Sequence, residues 1–84
     1  MRYLDWENYY NEFSKTQGRQ ARGNGYLFRI FPQPGGKTEL RMISNYTGEF
    51  EVMHFSDVEN AITSADQINR LLGNGYELKS ILAR

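Results

Sequence analysis

Several residue types that build common functional sites are scarce or missing in this chain. It contains no cysteine, which excludes a disulfide framework, a thiolate zinc site and a cysteine nucleophile. His54 is the only histidine, and neither a serine elbow nor a Walker-type phosphate loop is present. One histidine and scattered carboxylates supply too few ligands for a convincing metal site. The sequence therefore favours a protein without enzymatic activity, and we expect neither a metal nor a cofactor.

Long apolar runs are also absent. No uncharged apolar stretch approaches the ~18 residues that a membrane-spanning helix needs. Charged side chains interrupt the first positions, where a signal peptide would need an apolar segment. We therefore expect no membrane partner and a cytoplasmic location.

The residues that are present suit one small packed domain. Apolar residues make up 39% of the 84 residues and aromatic residues 14%, which is too much packing material for a disordered segment. A chain of this length buries roughly 60–65% of its unfolded surface on folding. That supports a thin core between two layers, so the prediction is a single α+β domain over residues 1–84.

The first segment shows a helical spacing of aromatic residues. Asp5 is placed to cap a helix, and Gly18 is placed to end it. The aromatic residues between them fall at i, i+3, i+4 and i+7: Trp6, Tyr9, Tyr10 and Phe13. This spacing predicts an amphipathic helix.

After a polar loop, the apolar pattern changes to the alternation of β-strands. Strands are predicted over residues 26–31, 38–44 and 49–55, joined by two short turns rich in glycine, proline and asparagine. Short connections make them an antiparallel meander. In the third of these strands, Phe50 and Val52 are predicted to face the core, and Met53 the opposite side.

A second helix is marked by its start and its stripe. Ser56 and Glu59 have the spacing of a capping box, and Gly73 is placed to end the helix. The apolar stripe between them is Val58, Ala61, Ile62, Ala65, Ile68, Leu71 and Leu72. A last strand is predicted over residues 76–82. The predicted fold is a two-layer α+β sandwich of order α-β-β-β-α-β, with two helices on one face of a four-stranded, mostly antiparallel sheet.

The tetrapeptide Gly-Asn-Gly-Tyr occurs twice, at residues 23–26 and 73–76. Phosphate-binding glycine loops precede a helix, whereas both copies here are predicted to precede a strand. The glycines are therefore interpreted as suppliers of left-handed backbone angles. The predicted topology brings the two copies to the same edge of the sheet.

Two helices in so short a chain can shield only one face of the sheet. The other face is predicted to carry clustered apolar side chains among charges, which favours burial against a partner. These apolar residues are Leu27, Phe31, Ile43, Met53, Phe55 and Ile81. The predicted contact residues are Leu27, Arg29, Phe31, Arg41, Ile43 and Met53. The partner is another protein or a second copy of the chain, as expected for a small adaptor or an inhibitor of phage or mobile-element type.

Two alternatives remain open. Residues 15–41 carry six basic side chains against one acidic one, and a nucleic-acid site would use Lys15, Arg19 and Arg22. The overall net charge of zero argues against it.

A ribonuclease-like enzyme would use His54 with Arg41 and either Glu49 or Glu51. If the strand alternates regularly, Glu51 and His54 fall on opposite faces, which weakens that interpretation.

Overall fold

A computed structural model describes residues 4–83, which form one antiparallel sheet and two helices. The strands follow one another as a meander, and each pairs with the next in sequence. Their bounds are β1 Glu7–Asn11, β2 Thr16–Gly23, β3 Tyr26–Pro32, β4 Thr38–Ser44 and β5 Phe50–Phe55. The helices are α1 Val58–Gly73 and α2 Leu78–Leu82. Neither helix in residues 4–83 is long and apolar enough to cross a membrane.

The α+β class is confirmed, and so are the three predicted strands and the long helix after them. β3 and β4 alternate as expected, because Phe28 and Ile30 on β3 pair with Met42 and Leu40 on β4. These four are the largest fully buried side chains. Helix α1 packs over them through small residues of its stripe, including the fully buried Ala61. The core therefore lies between one face of the sheet and the helices.

The predicted first helix is wrong, because residues 7–23 form the hairpin β1–β2. The four aromatic residues that suggested a helix do not share a face: Trp6 packs on the core, whereas Phe13 is fully exposed in the turn. The Asn11 side chain builds that turn, since its Oδ1 accepts hydrogen bonds from the backbone N–H groups of Phe13 and Ser14. Aromatic residues also favour strands. The sheet consequently has five strands instead of four, in the order β-β-β-β-β-α-α.

The predicted last strand is also wrong, because residues 78–82 form the short helix α2. Leu78, Ile81 and Leu82 have the i, i+3, i+4 spacing of one helical face, and all three pack on the core cluster. Ile81, predicted on the uncovered face of the sheet, is therefore a core residue.

The two Gly-Asn-Gly-Tyr copies form different turns that lie side by side. In the first, Asn24 and Gly25 have φ of 49° and 83°, the pair of positive angles that a two-residue hairpin turn requires. The second ends α1, where the N–H of Gly75 bonds the carbonyl of Leu72. The Asn24 Nδ2 donates to the Asn69 carbonyl at 2.8 Å, which fastens the first turn to α1. The two copies are close together as predicted, but because the β2–β3 turn contacts α1, and not because they precede neighbouring strands.

The cap of α1 differs by one residue from the predicted capping box. The Asp57 carboxylate, and not the Ser56 hydroxyl, accepts the N–H of Asn60 at 2.8 Å. The Ser56 hydroxyl instead accepts from the Asn60 side chain at 3.2 Å. A carboxylate at this position also interacts favourably with the helix dipole.

We expect Asp57→Ala to lower the free energy of unfolding by about 1 kcal/mol, because the first turn of α1 loses its side-chain acceptor. Ser56→Ala should cost less than about 0.5 kcal/mol, since it removes only a bond between exposed side chains. Urea titrations of the two variants measure the difference. Equal losses would assign the cap to both residues, and a larger loss for Ser56→Ala would restore the predicted capping box.

Candidate interaction surface

The face of the sheet opposite α1, called here the open face, is covered by no helix of residues 4–83. Both helices contribute to the core on the other side. Side chains of directly paired residues point to the same face, so the strand register defines this surface as three rows across β3, β4 and β5. The rows are Leu27–Ile43–Phe50, Arg29–Arg41–Val52 and Phe31–Glu39–His54. Arg22 and Gln20 of β2 and Tyr9 and Glu7 of β1 extend them.

Arg29 is held on the open face by an aromatic ring and a chain of hydrogen bonds. Its guanidinium lies 4.2 Å from the centre of the Tyr9 ring. Its Nε donates to Gln20 Oε1 at 3.2 Å, and Gln20 Nε2 donates to Glu7 Oε1 at 3.0 Å. The Tyr9 ring also packs edge-on against Phe31, with ring centres 5.7 Å apart. Three strands therefore cooperate to fix one cation.

Arg41 is held by a separate set of neighbours. It forms an ion pair with Glu39, at 3.2 Å between Nη2 and Oε2, and its guanidinium lies 4.8 Å from the centre of the Phe50 ring. Glu39 is only 9% exposed, and its other oxygen accepts from Gln33 Nε2 at 2.9 Å. Because Arg29 and Arg41 are directly paired, their charges repel across β3 and β4. Stacking each cation on its own ring offsets this cost.

Five of the six predicted contact residues lie on the open face: Leu27, Arg29, Phe31, Arg41 and Ile43. Met53 does not, because it pairs with Leu40 on the covered face and packs on the core. The prediction assigned the two faces of β5 the wrong way round. Phe55, like Met53, packs on the core, whereas Phe50 and Val52 lie on the open face. Leu27 is 9% exposed, which leaves Phe31, Ile43 and Phe50 as the more accessible apolar side chains.

Sequence reasoning missed several members of the open face, among them Tyr9, Phe50 and Val52. Tyr9 was assigned to a helix, although Asn24-Gly25 between two alternating segments is a strong hairpin signal. The phase of β5 was ambiguous because both alternating sets of the strand contain apolar residues. Register with β4, where Met42 and Leu40 define the inner side, resolves the phase.

The predicted nucleic-acid residues are not brought together. Arg19 pairs with Ile30, whose side chain is on the covered face, whereas Arg22 pairs with Leu27 on the open face. Lys15 lies in the β1–β2 turn, at the other end of β2 from Arg22. The three cations therefore do not form one patch that could contact the phosphates of a nucleic acid together.

The predicted ribonuclease-like set is also divided. His54 is exposed and pairs with Glu39 on the open face, whereas Glu51 pairs with Met42 on the covered face. Glu49 precedes β5 in the connecting loop. Among residues 4–83, no three His, Cys, Asp or Glu side chains are grouped as metal ligands would be. The acid nearest in register to His54 is already engaged by Arg41 and Gln33.

Comparison with known proteins gives no match. No protein-family model, no curated protein and no solved structure matches the chain. Function is therefore inferred from the arrangement of side chains on the open face.

Proposed function

We propose that the protein is a non-catalytic interaction module that binds another protein through the open face. The observation that supports this proposal is the set of three cross-strand rows, in which apolar side chains flank two arginines on a face without a helical layer. A face exposed only to water is normally more uniformly polar in an antiparallel sheet. A module of this kind acts as an adaptor or an inhibitor.

The chemistry of the surface favours a partner surface with acidic groups at its centre and apolar residues on either side. Arg29 and Arg41 lie side by side in the middle row, between the apolar pairs Leu27–Ile43 and the Phe31 ring. Within the described residues, the Nε of Arg41 has no hydrogen-bond acceptor. That atom is buried, but the Arg41 side chain as a whole is 40% exposed, so the terminal nitrogens of the guanidinium are the part that a partner carboxylate binds.

Preorganisation also supports binding through these arginines. Arginine and aromatic residues are enriched among the residues that contribute most to protein interfaces. Both arginines are already stacked on rings at 4.2 Å and 4.8 Å in the free protein. Less side-chain entropy is then lost when a partner orders them.

Nucleic acid is the less favoured ligand of this face. The chain has no net charge, and Glu39 and Glu7 share the surface with the arginines. Phosphate-driven binding needs a contiguous run of uncompensated cations. Arg22, Arg29 and Arg41 share the open face, but Arg41 is paired with Glu39, and Arg29 is linked through Gln20 to Glu7. It remains the alternative outcome of the experiment below.

The test compares partner capture by the wild-type protein and by the double variant Phe31→Gln, Ile43→Gln, from cells that encode the chain. We expect wild-type protein to retain a specific protein partner after nuclease treatment. The double variant should bind that partner at least about tenfold more weakly in titration calorimetry, because two apolar contacts of the open face are removed. Circular dichroism checks that the variant keeps its sheet.

The matched control is Phe13→Gln, which removes an equally apolar ring from the β1–β2 turn, outside the open face. This control should bind like the wild type. Wild-type affinity in the double variant would exclude the open face as the site. Loss of the captured material on nuclease treatment, together with steep salt dependence, would favour the nucleic-acid alternative.

A further inference from the structure

β5 is an edge strand with unusually little protection. It pairs with β4 only, at one end of the strand order. Its sequence Phe-Glu-Val-Met-His-Phe contains no proline and no glycine, and Glu51 is its only permanent charge. The opposite edge, β1, is one residue shorter and has two asparagines and a glutamate. Proteins usually blunt exposed edges with charge, proline or shortness. Each edge strand here has one glutamate and no proline, and β1 is the shorter of the two.

The outer backbone groups of β5 are free to bond another strand. In residues 4–83, no backbone or side-chain hydrogen bond outside the β4–β5 ladder involves residues 50–55. Alternate N–H and C=O groups of an edge strand point away from its single neighbour. These groups form a row of donors and acceptors with the spacing of a missing sixth strand.

Two hollows lie along this edge, one at each end of β5. The larger is a groove of about 820 Å³ at the start of the strand, between the sheet and the end of the helical layer. Its aromatic and apolar lining residues are Tyr26, Phe50, Leu72, Tyr76 and Leu78, of which Phe50 has its ring on the open face, against Arg41. The smaller hollow, about 410 Å³, adjoins His54, Phe55 and the Gly35-Gly36 turn. A strand added to β5 would run from one hollow to the other.

The charges of the larger groove define what it can accept. Among residues 4–83, Glu51 of β5, Glu49 just before it and Glu77 before α2 line the groove, against the single cation Lys79. Carboxylates beside aromatic rings favour a cationic side chain with an aliphatic stem, because the stem packs on the rings while the charge meets the acids. Lysine and arginine have this shape.

We propose that the edge of β5 binds an extended, basic segment of a partner protein, which adds to the sheet as a sixth strand and places a lysine or arginine in the larger groove. When a strand is added to a sheet edge, main-chain hydrogen bonds provide the affinity, and pockets for alternate side chains provide the specificity. A second copy of the chain fits less well, because its own edge carries the same glutamates, Glu51 in β5 and Glu49 just before it. The edge borders the open face at Phe50 and His54, but the proposal rests on the outer backbone of β5 and on the charges of the groove, so it does not depend on the proposed function.

The test starts from random peptides displayed on phage and selected against the immobilised wild-type protein. We expect selected peptides to be rich in Lys or Arg and in β-branched residues. A synthetic peptide of the winning sequence should slow hydrogen exchange of alternate amides within residues 50–55. Methylating the peptide nitrogens at one set of alternate positions should abolish binding, whereas methylating the other set should leave it unchanged, because only one edge of an added strand bonds β5.

The charge of the groove is tested with Glu51→Lys, which should weaken the selected peptide about five- to tenfold. Glu12→Lys makes the same charge change in the exposed β1–β2 turn and should have little effect. Four results would overturn the proposal: no enrichment of peptides, protection outside residues 50–55, equal tolerance of both methylation patterns, or equal effects of the two lysine variants. Concentration-dependent protection of residues 50–55 without peptide would show that a second copy occupies the edge.

Discussion

Gly18→Val is expected to lower the free energy of unfolding by about 3 kcal/mol or more, which corresponds to about 10–25 °C in Tm for a domain of this size. Gly18 is a buried position of β2 where the chain passes close to β3. A Cβ atom there would overlap the carbonyl oxygen of Ile30 and lie 2.7 Å from the Phe31 ring. The ring is a side chain and can turn, but the carbonyl belongs to the sheet backbone, so β2 must move away from β3.

The matched control is Gln17→Val, which introduces the same side chain at an exposed neighbouring position of β2 and should change stability by less than about 0.5 kcal/mol. Thermal unfolding of both variants gives the comparison. Adding Phe31→Ala to Gly18→Val should not restore stability, because the Ile30 carbonyl remains. If stability returned in that double variant, the ring and not the backbone would be the obstacle.

The parts of the fold that the sequence predicted correctly are those with one unambiguous pattern. In β3 and β4 the inner set is apolar at Phe28, Ile30, Leu40 and Met42, whereas the outer set contains Arg29, Glu39 and Arg41. Phe28 and Met42 are fully buried as expected. Helix α1 combines an apolar stripe with a side-chain cap and a glycine-containing end. Propensity, periodicity and turn chemistry agree in these segments, and such agreement is what makes a local prediction reliable.

The first segment failed because two patterns competed. Tyr9, Tyr10 and Phe13 satisfy a helical spacing, yet Tyr10 is 53% exposed and Phe13 fully exposed, so neither was selected for burial. Turn chemistry carried the correct information: Asn24 and Gly25 form a tight hairpin, and Asn11 builds the preceding turn. A prediction based on these turn residues, instead of on the aromatic spacing, would have placed β1 and β2 correctly.

The interaction surface could be predicted only in part. Leu27, Arg29, Phe31, Arg41 and Ile43 follow from the alternation of β3 and β4. The stacking of Arg29 on Tyr9 could not be predicted, because it depends on β1 being a strand at the far side of β2. The edge at β5 likewise depends on strand order, which alternation within single strands does not specify.

Asn24→Ala is expected to lower the free energy of unfolding by about 2–4 kcal/mol, the sum of two separate losses. Asn24 has a φ of 49°, and alanine resists this left-handed conformation more than asparagine does. Its Nδ2 also donates to the carbonyl and to the Oδ1 of Asn69, at 2.8 Å and 2.9 Å. Asn69 is only 6% exposed, so its side-chain oxygen would lose this donor in a site that water reaches poorly.

Asn24→Gly separates the two contributions, because glycine accepts the positive φ but cannot donate to Asn69. The loss of unfolding free energy in Asn24→Gly should therefore be about half of the loss in Asn24→Ala. Asn74→Ala is the internal control from the second Gly-Asn-Gly-Tyr copy, where φ is −89° and alanine is unstrained; it should cost less than about 0.5 kcal/mol. Chemical denaturation of the three variants measures these differences. If Asn24→Gly and Asn24→Ala were equally unstable, the left-handed angle would contribute nothing, and the turn would be held by its bonds to α1 alone.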